Sequence, residues 1–212
     1  MKLQSNDLVF IIIMSFFTAA AILMFSSLLV IYDSSFYKSE FVKNGVYDKF
    51  GNKTFPDSSA DNLIDYFRGR ENLLGIYSGR EIEHLDDVKI LVNNLTKVFY
   101  FLLILLVIII SFLFYRKYKY LWLIFAASFM IIILFCILSY LFSLLNFSYL
   151  FDHFHRLFFT NDSWIFDGNS MLIRLFSQEF FIDAFTKILQ YSFMLGAAGF
   201  LSAIFIRNRN LD

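Results

Sequence analysis

Uncharged and charged positions are sharply segregated along this chain. Four stretches hold no Asp, Glu, Lys or Arg: Leu8 to Tyr32, Val98 to Tyr115, Tyr120 to Phe151 and Ile188 to Ile206. An α-helix rises about 1.5 Å per residue, so roughly 20 apolar residues cross about 30 Å of hydrocarbon. The first and fourth stretches meet that length directly. The second does so once Leu95 and Thr96 join it, with Lys97 snorkelling to the interface. The third is too long for one crossing, which predicts a span ending near Phe142 and a remainder lying along the interface. The expected architecture is an all-α integral membrane protein, a single membrane domain over 1–212. Its transmembrane helices are placed at about 8–32, 95–115, 120–142 and 188–206.

Basic residues in the short flanks orient the spans, because cytoplasmic flanks are enriched in Lys and Arg. Lys2 precedes the first span; Arg116, Lys117 and Lys119 crowd the link between the second and third; Arg207 and Arg209 follow the fourth. All of these fall on one side, so the N- and C-termini are expected in the cytoplasm. The long loops, 33–94 and 143–187, are then extracytoplasmic and form a membrane-seated helical cap. The first stretch is too long for a signal-peptide core and lacks a small-x-small cleavage site, so it reads as an uncleaved anchor.

Composition narrows the function. Of 212 residues, 58% are hydrophobic and 30 are Phe, beyond what a water-soluble domain usually carries. Net charge is zero, from 18 basic and 18 acidic residues, and nothing points to a nucleic-acid partner. The single Cys136 lies in an apolar run, which excludes an intrachain disulfide and a cysteine-based zinc site. The spans hold no ionisable group of the kind that ion pumps, proton relays and voltage sensors need at membrane depth. Gly196, Ala197, Ala198 and Gly199 are small residues suited to close helix packing.

The candidate chemistry is therefore in the two loops. The first begins turn-rich, with Gly45, Gly51, Asn52 and the only proline, Pro56; Ser58 or Ser59 is placed to cap a short helix bearing Leu63, Ile64 and Phe67. In EIEHLDDVKILVNNL, 81–95, Leu85, Val88, Leu91, Val92 and Leu95 recur with helical period, predicting an amphipathic helix that feeds the second span. His84 and Asp87 are i, i+3 neighbours on it, close enough for the carboxylate to orient the imidazole. The second loop is dense in Phe yet carries His153, His155, Arg156, Asn161, Asp162, Trp164 and Asp167, a mixture suited to the headgroup layer.

Three readings of the histidines compete. They are ordinary interfacial residues, or they bind a metal with Asp87 or Asp152, or they are a general acid and base drawn from different loops. The metal reading conflicts with the helical look of the second loop, since rings at i, i+2 diverge by about 200° on a helix. A covalent acyl-enzyme lacks a nucleophile: there is no Gly-x-Ser-x-Gly elbow and no catalytic cysteine.

At these residues the chain resembles the bacterial lipoprotein intramolecular transacylases (Lit). The similarity rests on four spans, a first loop ending in EIEHLDDVK, the segment FHRLFFTNDSWIFD at 154–167, and LIRLFSQEFFIDAF continuing into the fourth span. Ser177 and the GNSM segment, 168–171, depart from the family pattern at positions expected to hold proline. The resemblance implies an acyltransferase of the bacterial cell membrane that acts on a diacylated lipoprotein. The acyl chain on the glycerol sn-2 oxygen would move to the N-terminal cysteine's α-amino group, giving a lyso-form lipoprotein, with no metal or organic cofactor. It places the catalytic pair at His84 and His155. The expected assignment is His84 as base, oriented by Asp87, and His155 as acid, with the two roles open to exchange. Arg156, Asn161 and Trp164 are expected to position substrate or polarise the carbonyl, and His153 and Asp167 are further orienting or substrate-binding candidates. A non-catalytic lipid-binding or lipid-sensing envelope protein is the alternative, and a metal-dependent membrane hydrolase stands third.

One tension accompanies this reading. A straight helix from His84 to Thr96 lifts the imidazole roughly 18 Å above the hydrocarbon, against a headgroup layer of about 5–8 Å. A break near Asn93 and Asn94 is the expected remedy.

Overall fold

The protein is described from a computed structural model over residues 4–116 and 120–209. Lys2, Lys117 and Lys119, which entered the orientation argument, lie outside the described residues. The elements are α1 (Ser5–Ile31), α2 (Ser34–Lys43), α3 (Val46–Phe50), α4 (Thr54–Phe67), α5 (Gly79–Tyr115), α6 (Leu121–Phe158), α7 (Met171–Leu175) and α8 (Gln178–Arg209). No strand occurs among the described residues. Four helices, α1, α5, α6 and α8, are long and apolar enough to cross a membrane, as the charge-free stretches predict. The chain is an all-helical integral membrane protein.

Contacts divide the chain into two compact units. The first comprises the apolar lengths of α1, α5, α6 and α8. Ile11 and Met14 of α1 cluster with Leu106 and Leu113 of α5 and with Ile124 of α6. The buried Ser15 hydroxyl lies 2.7 Å from the Ile11 carbonyl and 3.0 Å from the Ile124 carbonyl, so it has acceptors on both helices. Gly196 of α8 meets α6 so closely that a Cβ there would stand 3.0 Å from Ile132 and Phe129 side-chain atoms, which is the small-residue packing expected of this segment. Phe16, Phe101, Ile104, Met130 and Leu201 stay exposed, a surface suited to lipid rather than water.

The second unit is Leu28–Leu95 with Phe142–Lys187. Asp33 caps α2 by accepting from the Phe36 N–H at 3.1 Å, and α2 buries Phe36, Tyr37, Glu40 and Phe41 on one face. Those rings meet α7 and the start of α8, with Phe41 5.8 Å from Phe176 and Tyr37 5.1 Å from Phe180. The segment read as turn-rich thus holds two helices. Glycines turn the chain at both ends of α3: Gly45 (φ 63°) and Gly51 (φ 69°) lie in the left-handed region.

Two local expectations are corrected. α4 begins at Thr54, not at Ser58 or Ser59: Pro56 sits in the first turn, where its missing N–H costs nothing, and Asn52 accepts from the Phe55 N–H at 2.9 Å. α5 runs unbroken from Gly79 to Tyr115, past Asn93 and Asn94. Asparagine lowers helix propensity by only ~0.7 kcal/mol, and no proline or glycine interrupts the ladder there. The interruption falls instead in α6 at Asn146 (φ −166°, ψ 87°), whose side chain accepts from the Tyr149 N–H at 3.0 Å and so starts a new helical segment over 147–158. The preceding apolar length, Leu121–Ser143, is of spanning size.

Candidate active site

His84 lies on the N-terminal part of α5, outside the apolar length beginning near Leu95. That part is fixed by a capping box: Glu81 accepts from the Ser78 N–H at 2.7 Å, while the Ser78 hydroxyl accepts from the Glu81 N–H at 3.4 Å. The other Glu81 carboxylate oxygen accepts from the Leu172 N–H at 2.8 Å, tying α5 to α7. His155 lies on the 147–158 segment of α6. Both side chains are buried, at 8% and 7% exposure, in a protein whose polar side chains are mostly solvated.

The two imidazoles face each other with ring centroids 5.7 Å apart and planes inclined by 30°. Phe159 and Phe166 approach His84 edge-on at 5.1 Å and 5.5 Å. Phe151 lies 4.2 Å from His155 and Trp164 lies 4.8 Å from it. Aromatic walls thus enclose both rings.

Hydrogen bonding distinguishes the pair. His155 Nδ1 is 2.7 Å from the Phe151 carbonyl oxygen. A carbonyl only accepts, so Nδ1 carries the proton and Nε2 of the neutral ring holds a lone pair. His84 Nδ1 is buried and has no hydrogen-bond partner among the described residues. Burial, with a smaller contribution from His155, pushes the His84 imidazole down to about 4, against a weak opposing pull from Asp87. Burial also lowers His155, although the Phe151 bond and Asp152 oppose it. Both rings are neutral at neutral pH.

The remaining candidates separate into three groups. Trp164 lies tilted against His155, and the exposed Arg156 guanidinium reaches the Trp164 ring at 5.9 Å. Asp87 does not bond His84 as expected. Its carboxylate accepts from Asn161 Nδ2 at 2.9 Å and faces the Ser163 hydroxyl at 3.5 Å, so only its field acts on the imidazole. His153 and Asp167 are exposed. The His153 ring turns back on Tyr149, 3.8 Å away, and its Nδ1–H donates to the Tyr149 carbonyl at 2.9 Å. The Asp167 backbone carbonyl accepts from the Ser170 N–H in the turn before α7, where Ser170 then serves as the cap. That turn uses the GNSM segment, and Ser177 immediately precedes α8. No group of three or more His, Cys, Asp or Glu among the described residues is arranged to hold a metal ion.

Sequence reasoning passed over Ser163, Phe159, Phe166 and Glu81. The spacing of Ser78 and Glu81 ahead of an apolar run was a readable capping signal; nothing local marks the others.

A helical fold with four membrane-spanning lengths and a buried pair of histidines within aromatic walls defines a class: an integral membrane protein with an enclosed polar site. The lipoprotein intramolecular transacylase Lit family matches the chain over residues 11–181, and the chain belongs to that family. It is an acyltransferase that acts on a lipoprotein. The solved structure of the membrane-integral Lit from Bacillus cereus has a TM-score of 0.86 to this chain at 23% identity, covering 99% of this chain and 100% of the other. Two further Bacillus cereus Lit structures each carry one histidine replaced, by arginine in one and alanine in the other. They reach TM-scores of 0.82 and 0.80 at 22% and 21% identity, covering 97% and 98% of this chain and 93% and 96% of theirs. No curated protein sequence matches.

Proposed function

We propose that this chain moves the sn-2 acyl chain of a diacylglyceryl-cysteine lipoprotein to the α-amino group of the same cysteine, with His84 and His155 assisting the transfer. A bond forms between the amine nitrogen and the acyl carbon, and the bond from that carbon to the sn-2 oxygen breaks. The nitrogen gives up one proton and the sn-2 oxygen gains one, so the reaction balances within one molecule. The observation that carries this reading is the stacked histidine pair inside aromatic walls, with one buried ring nitrogen unpartnered. Leaving such an atom unsatisfied costs a fold roughly 1–3 kcal/mol, which a substrate hydrogen bond recovers.

The tautomer supports roles different from those expected from the sequence. His155, with its Nε2 lone pair, takes the proton from the attacking nitrogen and returns it to the departing sn-2 oxygen. His84, held neutral, is a poor base but a good hydrogen-bond donor, and it stabilises the oxyanion that develops on the carbonyl. Because amine and ester share one molecule, the aromatic enclosure serves to fold the substrate until the reacting atoms are about 3–3.5 Å apart and water is kept out.

The site then faces the extracytoplasmic side of the bacterial cell membrane, with both termini cytoplasmic. Within the first unit Arg207 lies 4.2 Å over the Trp122 ring, bringing the basic end of α8 beside the start of α6, and Arg116 immediately follows α5. Such a basic end matches the cytoplasmic rule. With α5 unbroken, the ester is met by a tilted helix or is drawn toward the imidazoles.

Mass spectrometry of a reporter lipoprotein's N-terminal peptide, after incubation with the purified protein, tests the reading. The expected product carries one acyl chain on nitrogen and a single chain left on glycerol. A peptide with both chains still on glycerol, or an N-acyl chain added while glycerol keeps both, contradicts it.

A further inference from the structure

The polar side chains beside the histidines are engaged with one another. Asn161 Nδ2 donates to Asp87, and the Asn161 side-chain oxygen accepts from the Ser163 hydroxyl at 2.6 Å and the Ser163 N–H at 3.1 Å. Ser163 is 5% exposed. Asp87 follows His84 by about one helical turn, so the loop after α6 is tied to α5 next to the imidazole. The same loop carries Trp164 and Phe166, the rings set against His155 and His84. A second tie joins the exposed Arg80 guanidinium to the Ile165 carbonyl at 3.3 Å.

We propose that Asp87, Asn161 and Ser163 form a clasp that holds the 159–170 loop on α5 and so keeps Trp164 and Phe166 as walls of the histidine pair. Asn161 and Ser163 are positioning residues: their hydrogen bonds go to each other and to Asp87, and they act on the imidazoles through the rings they hold. The inference rests on the two-histidine reading for its effect on rate, but not for its effect on the titration of the rings.

Opening the clasp admits water, and a solvated imidazole returns toward its reference pKa. The titratable groups acting on His84 are His155 from α6 and Asp87 from α5, while Asp152 acts on His155. Substituting Asn161 or Ser163 leaves all of these in place, so an upward shift of His84 reports lost walls and not lost charge. Asp87→Asn has the opposite sign: it keeps an acceptor for the Asn161 amide and removes a charge that favours the imidazolium.

The test is NMR titration of isotope-labelled histidine in the full-length protein in nanodiscs, where only three histidines need assignment. Asn161→Ala and Ser163→Ala are each expected to raise the His84 midpoint by about one pH unit or more and to slow acyl transfer at least ~10-fold, as misplaced groups do. Asp87→Asn is expected to lower the His84 midpoint and to keep roughly 10-fold more activity than Asp87→Ala. If Asn161→Ala does not fold, Ser163→Ala and the Asp87 pair decide the matter. A His84 midpoint that stays put when the clasp is cut, or equal losses in Asp87→Asn and Asp87→Ala, overturns the clasp. A wild-type protein without transacylase activity defeats the functional reading alone and leaves the titration test standing.

Discussion

His84 and His155 stack 5.7 Å apart, yet only His155 has its Nδ1 engaged, on the Phe151 carbonyl, while His84 Nδ1 is buried without a partner among the described residues. In the proposed reaction this asymmetry makes one of two chemically identical side chains the proton acceptor and the other a neutral donor. It arises from backbone: His155 is reached by the carbonyl four residues earlier in its own helix, whereas His84 Nδ1 is met by no such oxygen.

The rate of acyl transfer follows from these protonation states. His155 must be neutral to accept a proton, and burial holds it below the usual histidine range. Above about pH 6.5 the rate is therefore expected to rise only with deprotonation of the substrate amine, whose reference pKa is about 8. A second, steeper loss is expected to set in only below about pH 6.5. A pH–rate profile of the purified protein checks this, and a histidine break at or above that pH speaks against the buried base.

Stability carries the same signature. An unfolded chain protonates His84 near pH 6.5, but the folded one resists until about 4. Between those values the unfolded state binds more protons, so stability falls as pH falls, by on the order of 3 kcal/mol over the whole window. Thermal unfolding in detergent at pH 7.5 and 5.0 is expected to show a larger acid loss in wild type than in His84→Gln. Equal losses refute the assignment.

Glu81 is expected to be a stability residue. It is 2% exposed and accepts from two backbone N–H groups on different elements, Ser78 and Leu172. Glu81→Ala strands both donors and is expected to cost about 2–4 kcal/mol, with Glu81→Gln intermediate because one amide oxygen remains. Thermal unfolding measures both; an alanine variant as stable as wild type rules the tie out.

The membrane helices were legible because hydropathy is a property of local composition, and charge-free runs have few other uses. The helices of the second unit were less so. α2, with Lys38, Glu40 and Lys43 among its aromatics, has a short and mixed pattern, and its glycine-flanked neighbour α3 is only five residues. Asn93 and Asn94 continue their helix because propensity alone is a weak breaker, while Asn146 interrupts its own because its side chain offers the next segment a cap. The histidines were visible as residues and paired by family resemblance, but their meeting depends on tertiary packing of distant segments. Asn161 was singled out for the substrate and is found bonded to Asp87. Ser163 was passed over, because a serine in a loop carries no signal until its partners are known. His153 illustrates helical geometry: two residues from His155, it turns the other way.

A double-mutant cycle on acyl transfer tests the paired histidines most directly. His155→Gln is expected to slow transfer by roughly 10²–10⁴-fold and His84→Gln by roughly 10²–10³-fold. The double variant is expected to be no more than about threefold slower than His155→Gln alone, since groups acting as a unit lose their function together. Near wild-type transfer in either single variant, or a double loss equal to the product of the single losses, contradicts the account.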